Sequence, residues 1–577
     1  MTKALPTSPF DSSRYIGSVT FVNPDTAKIN LPYAASVSAK QYAGYPVNGG
    51  QVGEFVFIES DEHAVLGRIT EVRLPDAERL NAEPTLGKQP DAHPIGLVQL
   101  LTTLELSTGK VISGIPQHPR VGQHVFSAHS LLVKHVVEGN VLSKDAVIEL
   151  ATTTQSSSTK VNITPEQLIG RHCAVLGATG GGKSWTVARI AQEIARIGGK
   201  VILVDPTGEY HTCKDKTQSV YLGGQKVDDA DTNIYVGFPY WMLTELDLFA
   251  IFQPSGASQT PKLREALLSL RISFAESGQE SKNTIKRNSS KQDFRDSKNK
   301  HSVAISEPSA PYSIKLLPQQ IVEECVWESG GSSSSPNHTI WGNGNDLVRG
   351  YCETLVSKIN SIINSKALKC LFDPKAFVSL TDTVSEFLKS DQSILRISLE
   401  NLSFEHNARE LLVNALGRYL LGLARANEFL KNPTVVILDE AHQFLNKNLG
   451  DENNRITLDA FGLIAKEGRK YGLTTVIATQ RPRDIPDDVL SQMGMFVVHR
   501  LINDRDRQVV EKACGNLDGS AAAFLPTLGQ GEAILVGVNF PMPTPVKIIE
   551  PDYKPKSEGP DYAKFWTTVP SSTNSDL

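Results

Sequence analysis

The chain has 577 residues, 40% hydrophobic and 21% charged, with a formal net charge of -5. That is an ordinary globular composition with room for roughly three to four domains, and its charge does not advertise a nucleic-acid binder, although a basic channel can sit in an acidic body. Six scattered cysteines without a Cys-x-x-Cys pair exclude a disulfide framework or a zinc site, and the lack of an apolar signal core at Met1 or of any run of about 18 apolar residues predicts a cytoplasmic protein with no membrane span.

Residues 14 to about 150 are strand-rich and punctuated by turns. Ile16-Gly-Ser-Val-Thr-Phe21, Gly53-Glu-Phe-Val-Phe-Ile58, Ala64-Val-Leu-Gly-Arg-Ile69 and Gly96-Leu-Val-Gln-Leu-Leu101 are short alternating runs. At this spacing they predict a small antiparallel barrel. It carries no catalytic cluster and is large enough for a core of its own, so its removal is expected to leave the remainder foldable. The Thr- and Ser-rich stretch Thr152 to Thr159 reads as a linker.

Next comes Gly177-Ala-Thr-Gly-Gly-Gly182-Lys183-Ser184. It fits G-x-x-x-x-G-K-[ST], with an apolar strand, Cys173 to Leu176, before it. A helical stretch follows, with Val187, Ile190, Ala191, Ile194 and Ile197 on one face. Glycines let backbone N–H groups turn onto phosphate oxygens, and the helix N-terminus adds partial positive charge. Gly177, Ala178, Thr179, Gly180, Gly181, Gly182, Lys183, Ser184 and Trp185 are the expected nucleotide-binding residues. Lys183 would reach the β- and γ-phosphates of ATP, and Ser184 would ligate Mg2+.

Lys200 to Val204 forms a second apolar strand and leads into Asp205-Pro-Thr-Gly-Glu209-Tyr210. Residues 236–390 form a helical insertion, with amphipathic stretches at Leu263 to Phe274 and Leu347 to Ile363. Two polar tracts within it read as mobile loops. Ser281 to Lys300 holds seven Lys/Arg against two Asp, and Ser329 to Asn345 is rich in Gly, Ser and Asn. The basic tract is a candidate contact for DNA phosphates through Lys282, Lys286, Arg287, Lys291 and Arg295. Its one aromatic, Phe294, argues against base stacking.

The sheet resumes at Ser393 to Ser398, followed by a helical stretch from Glu405 to Leu430. Val435-Val-Ile-Leu438 then ends in Asp439 and Glu440. Asp439 is placed to hold Mg2+ through water and Glu440 to polarise the attacking water. Thr474 to Ala478 leads into Thr479-Gln480-Arg481-Pro482. Ligands of open parallel sheets sit at the carboxyl ends of strands, so Gln480 would touch the γ-phosphate and report hydrolysis.

In order, these segments resemble the HerA branch of the HerA/FtsK motor ATPases. The Asp205-to-Tyr210 turn, Ile437-Leu-Asp-Glu-Ala-His442, Ala465-Lys-Glu-Gly-Arg-Lys-Tyr-Gly472 and Met495 to Asp506 carry the likeness beside the phosphate loop. The expected fold is α/β: a P-loop RecA-like ATPase core with an N-terminal small β-barrel and a helical insertion. The expected divisions are a barrel for assembly or docking (1–150), a first core part (151–235), the insertion (236–390), a second core part (391–545) and a tail (546–577).

The resemblance implies a homo-hexameric ring threading double-stranded DNA. Its active sites would be completed by a neighbour's arginine, with Arg469 the first candidate and Arg171 the second. Lys466 stands where the family often has an arginine. The leading expectation is an ATP-driven DNA translocase or helicase working with a separate nuclease or effector, in DNA end processing or anti-phage defence. The alternatives are an ATP-binding ring scaffold for a partner enzyme and a coupling ATPase of DNA secretion, the latter disfavoured by the lack of membrane segments.

Overall fold

Alternation builds the first unit. Along Ile95–Glu105 buried and partly exposed positions alternate for most of the strand, as a pleated strand covered on one face requires. Six strands pair in the order Thr26–Asn30, Tyr15–Val22, His124–Ser127, Phe55–Ser60, His63–Arg73 and Ile95–Glu105, and the last returns to the first. Closure leaves no long edge open to strand addition. Ile16, Val56, Ile58, Val65 and Val98 fill the interior. The computed structural model describes residues 5–556 except 33, 35–39, 43–44, 48, 76–92, 140–145, 155, 226–231, 446–447, 450–454, 516, 518 and 539, and also 562 and 566.

The barrel does not stand apart. Phe55 and Phe57 alternate with Val56 and Ile58, so they face outward. With Leu66 and Leu104 they join Ile148, Leu150, Val187 and Ile190 in one buried cluster. The barrel therefore has the interior of its own that was expected and, in addition, shares a buried cluster with the unit that follows.

The expected linker is a hairpin. Ile148–Thr153 pairs antiparallel with Ser156–Ile163 and on its other side with Thr544–Ile548. Threonine favours strands because its branched Cβ suits the pleat, and at a sheet edge such a run needs few apolar residues. The divisions expected at 150/151 and 545/546 consequently fall inside strands. Residues 557–577 of the expected tail lie outside the described residues, apart from Tyr562 and Trp566.

The hairpin begins a 13-stranded sheet. Its order is Ser156–Ile163, Ile148–Thr153, Thr544–Ile548, Glu532–Gly537, Met493–His499, His172–Leu176, Leu473–Thr479, Thr434–Leu438, Lys200–Asp205, Ile394–Ser398, Thr217–Leu222, Ile234–Gly237 and Val378–Ser379. From Met493–His499 onward all neighbours are parallel. The five residues of His172–Leu176 are all buried, as are those of Thr434–Leu438, which suits strands covered on both faces. Leu473–Thr479 lies between these two strands and so brings its end beside the phosphate loop.

The insertion is helical, with Gly256–Ser277 and Asp346–Ile363 as its long helices. The polar tracts are only in part the loops expected from composition. Lys291–Lys300 is a helix capped by the Ser290 hydroxyl. Gly330–Ser332 and Ser335–Asn337 form a hairpin. The bridge Ser290 to Ile340 ties the two tracts together, and Val326 to Gly344 ties the second back to the segment before it. Among the described residues no helix is long and apolar enough to cross a membrane, and none of the six cysteines is in a disulfide.

Candidate active site

The phosphate loop turns between His172–Leu176 and the helix Lys183–Arg196. Gly182 holds φ 112° and Gly180 φ 74°, values that glycine adopts without strain. The underside of the loop is crowded. A Cβ on Gly177 would lie 2.5 Å from His499 Cβ, and one on Gly182 3.0 Å from Gly531 Cα. The other side is open, with nothing within 4 Å of a Cβ built on Gly180. The loop is thus supported below and free above, where a polyphosphate would lie.

His499 was not singled out in the sequence. Its ring is fully buried, with Nε2 2.8 Å from Thr186 Oγ1 and Nδ1 2.8 Å from the Glu532 carbonyl. Burial chiefly lowers its pKa to about 4. It stays neutral at pH 7 and adds no charge beneath the phosphates.

Lys183, Asp439, Glu440 and Glu209 form one electrostatic group. Lys183 is buried, and its Nζ donates to the Ala178 carbonyl at 3.2 Å. Burial lowers its pKa, and Glu440, Asp439 and Glu209 oppose that shift. Asp439 is pushed up to about 7, first by burial and then by the Glu440 charge. Burial also raises Glu440. Glu209 Oε2 is buried without a hydrogen-bond partner among the described residues, and so is Glu440 Oε2 apart from an ion-pair contact of 3.3 Å with His442 Nδ1.

Among the described residues no three acidic, histidine or cysteine side chains converge as a metal cage, which suits Mg2+, a cation held by one or two protein ligands together with nucleotide phosphates; its charge would relieve the repulsion of the crowded carboxylates. Ser184 and Asp439 would hold Mg2+, and the glycine loop with Lys183 would hold the phosphates of ATP. Mg2+ when bound supplies charge neutralisation on the phosphate oxygens. Glu440 would supply the base. Its backbone sits at φ 46°, ψ 43°, a left-handed conformation costing about 1 kcal/mol for a non-glycine residue. Such strain is typical where a side chain must be aimed. A proton leaving the attacking water would pass to its carboxylate.

Gln480 stands at the end of the strand beside the phosphate-loop strand. Its Oε1 accepts from Thr179 Oγ1 at 2.6 Å, which joins the two strand ends directly.

The Asp205-to-Tyr210 turn has two functions. Asp205 is fully buried and accepts from Gly208 N at 2.8 Å, Tyr210 N at 3.2 Å and Arg396 Nε at 2.7 Å. It organises the turn and does not face the nucleotide. The ordered turn then presents Glu209 to the cluster and brings Tyr210 Oη to Asp439 Oδ2 at 3.1 Å. Arg409 braces the turn from outside, donating to the Pro206 carbonyl at 3.2 Å. Neither arginine could be paired with this turn from sequence spacing.

The two candidate trans arginines lie elsewhere. Arg171 precedes the first residue of the phosphate-loop strand, and Arg469 precedes Leu473–Thr479 by four residues. Both are exposed. About 20 Å of extended chain separates Arg171 from Gly177, and Arg469 precedes the start of the neighbouring strand, so both stand at the end of the sheet away from the phosphate loop. Arg469 lines a cleft of about 560 Å³ at this far edge, with Lys200, Lys431 and Gly472. Lys466 is bound to Asp488 at 2.7 Å.

The expected DNA-contacting tract is partly occupied. Lys286 is buried, 2.5 Å from Glu324 and between the rings of Phe294 and Trp341 at 4.7 and 4.8 Å. Lys291 is held by Glu328. Neither is available to a phosphate. Lys282, Arg287, Arg295, Lys298 and Lys300 remain exposed.

Residues 148–323 match the family described as helicase HerA, central domain. Residues 423–551 match the helicase HerA-like C-terminal family. The chain is 24% identical over 535 residues to the DNA double-strand break repair helicase HerA of Sulfolobus acidocaldarius, covering 91% of this chain and 88% of that one. It is 26% identical over 448 residues to the protein so named from Pyrococcus furiosus, covering 74% and 73%. Among solved structures, VirB4 of Thermoanaerobacter pseudethanolicus aligns at TM-score 0.45 and 15% identity, over 72% of this chain and 99% of that one. The conjugative coupling protein TrwBdeltaN70 aligns at 0.42 and 14%, over 75% and 95%.

Proposed function

We propose, on the premise that this chain belongs to the HerA family of P-loop ATPases and hydrolyses ATP, that it is the subunit of a homo-hexameric motor translocating double-stranded DNA. One observation carries the reading most of the way. The phosphate loop and its carboxylates occupy the carboxyl ends of the strands, while Arg171 and Arg469 occupy the opposite edge of the same sheet. A site divided in this way is completed when one subunit's edge meets the next subunit's loop. An arginine supplied in trans neutralises transition-state charge and ties hydrolysis to motion between subunits.

The relatives are named DNA double-strand break repair helicases, which supports DNA as the cargo and end processing as the setting. Anti-phage defence is a second setting in which the same motor would serve. In either, the ring works in the cytoplasm with Mg2+ and feeds DNA to a separate nuclease or effector docked on the barrel.

The test is ATP turnover with and without double-stranded DNA, together with displacement of a protein roadblock from one end of a duplex. DNA-stimulated turnover with directional displacement is expected. Turnover indifferent to DNA but altered by a partner enzyme would replace the motor with a ring scaffold.

A further inference from the structure

Trp185 follows Ser184 directly and is rotated about 100° from it around the helix axis. Its indole is partly buried, yet it belongs to none of the three hydrophobic clusters formed by the described residues. An aromatic of this size outside the core, in the first turn after a phosphate loop, is placed beside the α-phosphate end of a nucleotide. A segment from the other end of the chain covers it. After the strand Thr544–Ile548 the chain runs as an extended strap through Lys556. Hydrogen bonds hold it along its length: Ile549 N to the Leu150 carbonyl (3.0 Å), Asp552 N to Gln192 Oε1 (3.1 Å) with the Gln192 amide donating back to the Asp552 carboxylate, Thr212 Oγ1 to the Lys554 carbonyl (2.8 Å) and Lys556 N to the Glu209 carbonyl (2.9 Å).

Pro551 and Pro555 are buried and stiffen the strap. Gln192 lies two helical turns beyond Trp185 on the same face, so the strap runs along that face. It brings the Lys554 ammonium to 5.8 Å from the indole centroid, where an exposed ion pair with Glu550 of the same strap, at 2.5 Å, holds it.

We propose that the Trp185 indole and Lys554 of the strap form the wall against which the base of the nucleoside triphosphate stacks. The proposal rests on the ATPase reading of the phosphate loop. The indole supplies a flat apolar face, and the ammonium supplies a cation for the ring edge and ribose side. Because Lys556 is bonded to Glu209, the strap also spans from the base wall to the carboxylate cluster. The base is thereby sensed by the same turn that faces the γ-phosphate end.

Inorganic tripolyphosphate separates base from phosphate recognition. Isothermal titration of the full chain with Mg-ATP and with Mg-tripolyphosphate gives the two affinities for each variant. Trp185→Ala should weaken ATP binding about tenfold, the usual scale of a lost base stack, and leave tripolyphosphate affinity unchanged. Trp185→Phe should restore most of the ATP affinity. Lys554→Ala should weaken ATP alone, by less than Trp185→Ala. Equal losses for both ligands, or no loss for ATP, would overturn the base wall while leaving the phosphate site intact. Wild-type protein that binds neither ligand would overturn the ATPase reading and the base wall together.

Discussion

Glu440 is the residue on which hydrolysis and binding separate. Its Oε2 has no hydrogen-bond partner beyond a 3.3 Å contact with His442 Nδ1, which an amide of the same shape can keep, so Glu440→Gln should fold and bind ATP normally. Turnover should fall about 100-fold or more, the range of general-base contributions. Near-normal turnover in a steady-state assay would move the base elsewhere. Two histidines set a different expectation. His499 and His172 are both lowered by burial from 6.5 to about 4. Between those values the unfolded chain takes up protons that the native chain refuses. Stability is therefore full above about pH 6.5 and declines as pH falls toward 4, by up to roughly 3 kcal/mol for each group. Urea unfolding at pH 7.5 and pH 5 measures this. His499→Gln should remove about half of the difference, whatever it does to stability at pH 7.5.

At the scale of elements, the basic insertion tract separates into two kinds of residue. Replacing Lys282, Arg287, Arg295, Lys298 and Lys300 by Ser should leave folding unchanged. If the tract meets DNA, the salt dependence of binding should flatten, by a slope of up to about 4 to 5 for five lost phosphate contacts. An unchanged slope would place the DNA contacts on other elements. Lys286→Ser should instead destabilise the insertion by about 3–5 kcal/mol, because Glu324 would remain buried without its partner, and a melting curve reads that directly.

The same tract shows what a sequence can reveal. The phosphate-loop strand, the helix after it and the strand ending at Asp439 were legible, because apolar runs and glycine spacing are local signals. The partners of Lys286 were not, since Glu324 and Trp341 lie about 40 to 55 residues away. Arg396 meets Asp205 across 191 residues, and His499 meets Thr186 across 313. The Thr/Ser hairpin was misread for the related reason that an edge strand needs little hydrophobicity.

For the whole molecule, the division of one site between two sheet edges can be tested by mixing. Arg469→Ala and Lys183→Ala subunits should each be inactive alone. Mixed rings would pair an intact loop with an intact arginine at some interfaces, so partial ATPase activity should return. Mixtures as inactive as their parents, with subunit exchange demonstrated, would remove the trans role from Arg469. The shared core predicts a second result. Deleting residues 1–127 exposes the face that Phe55, Phe57, Leu66 and Leu104 cover, so the remaining chain should melt well below the intact protein. An unchanged melting temperature would mean that the two units fold separately after all.

Sheet order also sets a timetable for synthesis. The barrel has all six strands once residue 127 is made. Among the described residues the phosphate-loop strand His172–Leu176 pairs with Leu473–Thr479 on one side and Met493–His499 on the other, and both leave the ribosome roughly 300 residues later. At about 5–20 residues per second that is a wait of roughly 15–60 s. Throughout it, an apolar strand and its helix hang on the nascent chain with no sheet to enter. Chains stalled before residue 473 should therefore carry a protease-resistant barrel and a protease-sensitive remainder, and the newborn protein should depend on chaperones that shield this one segment.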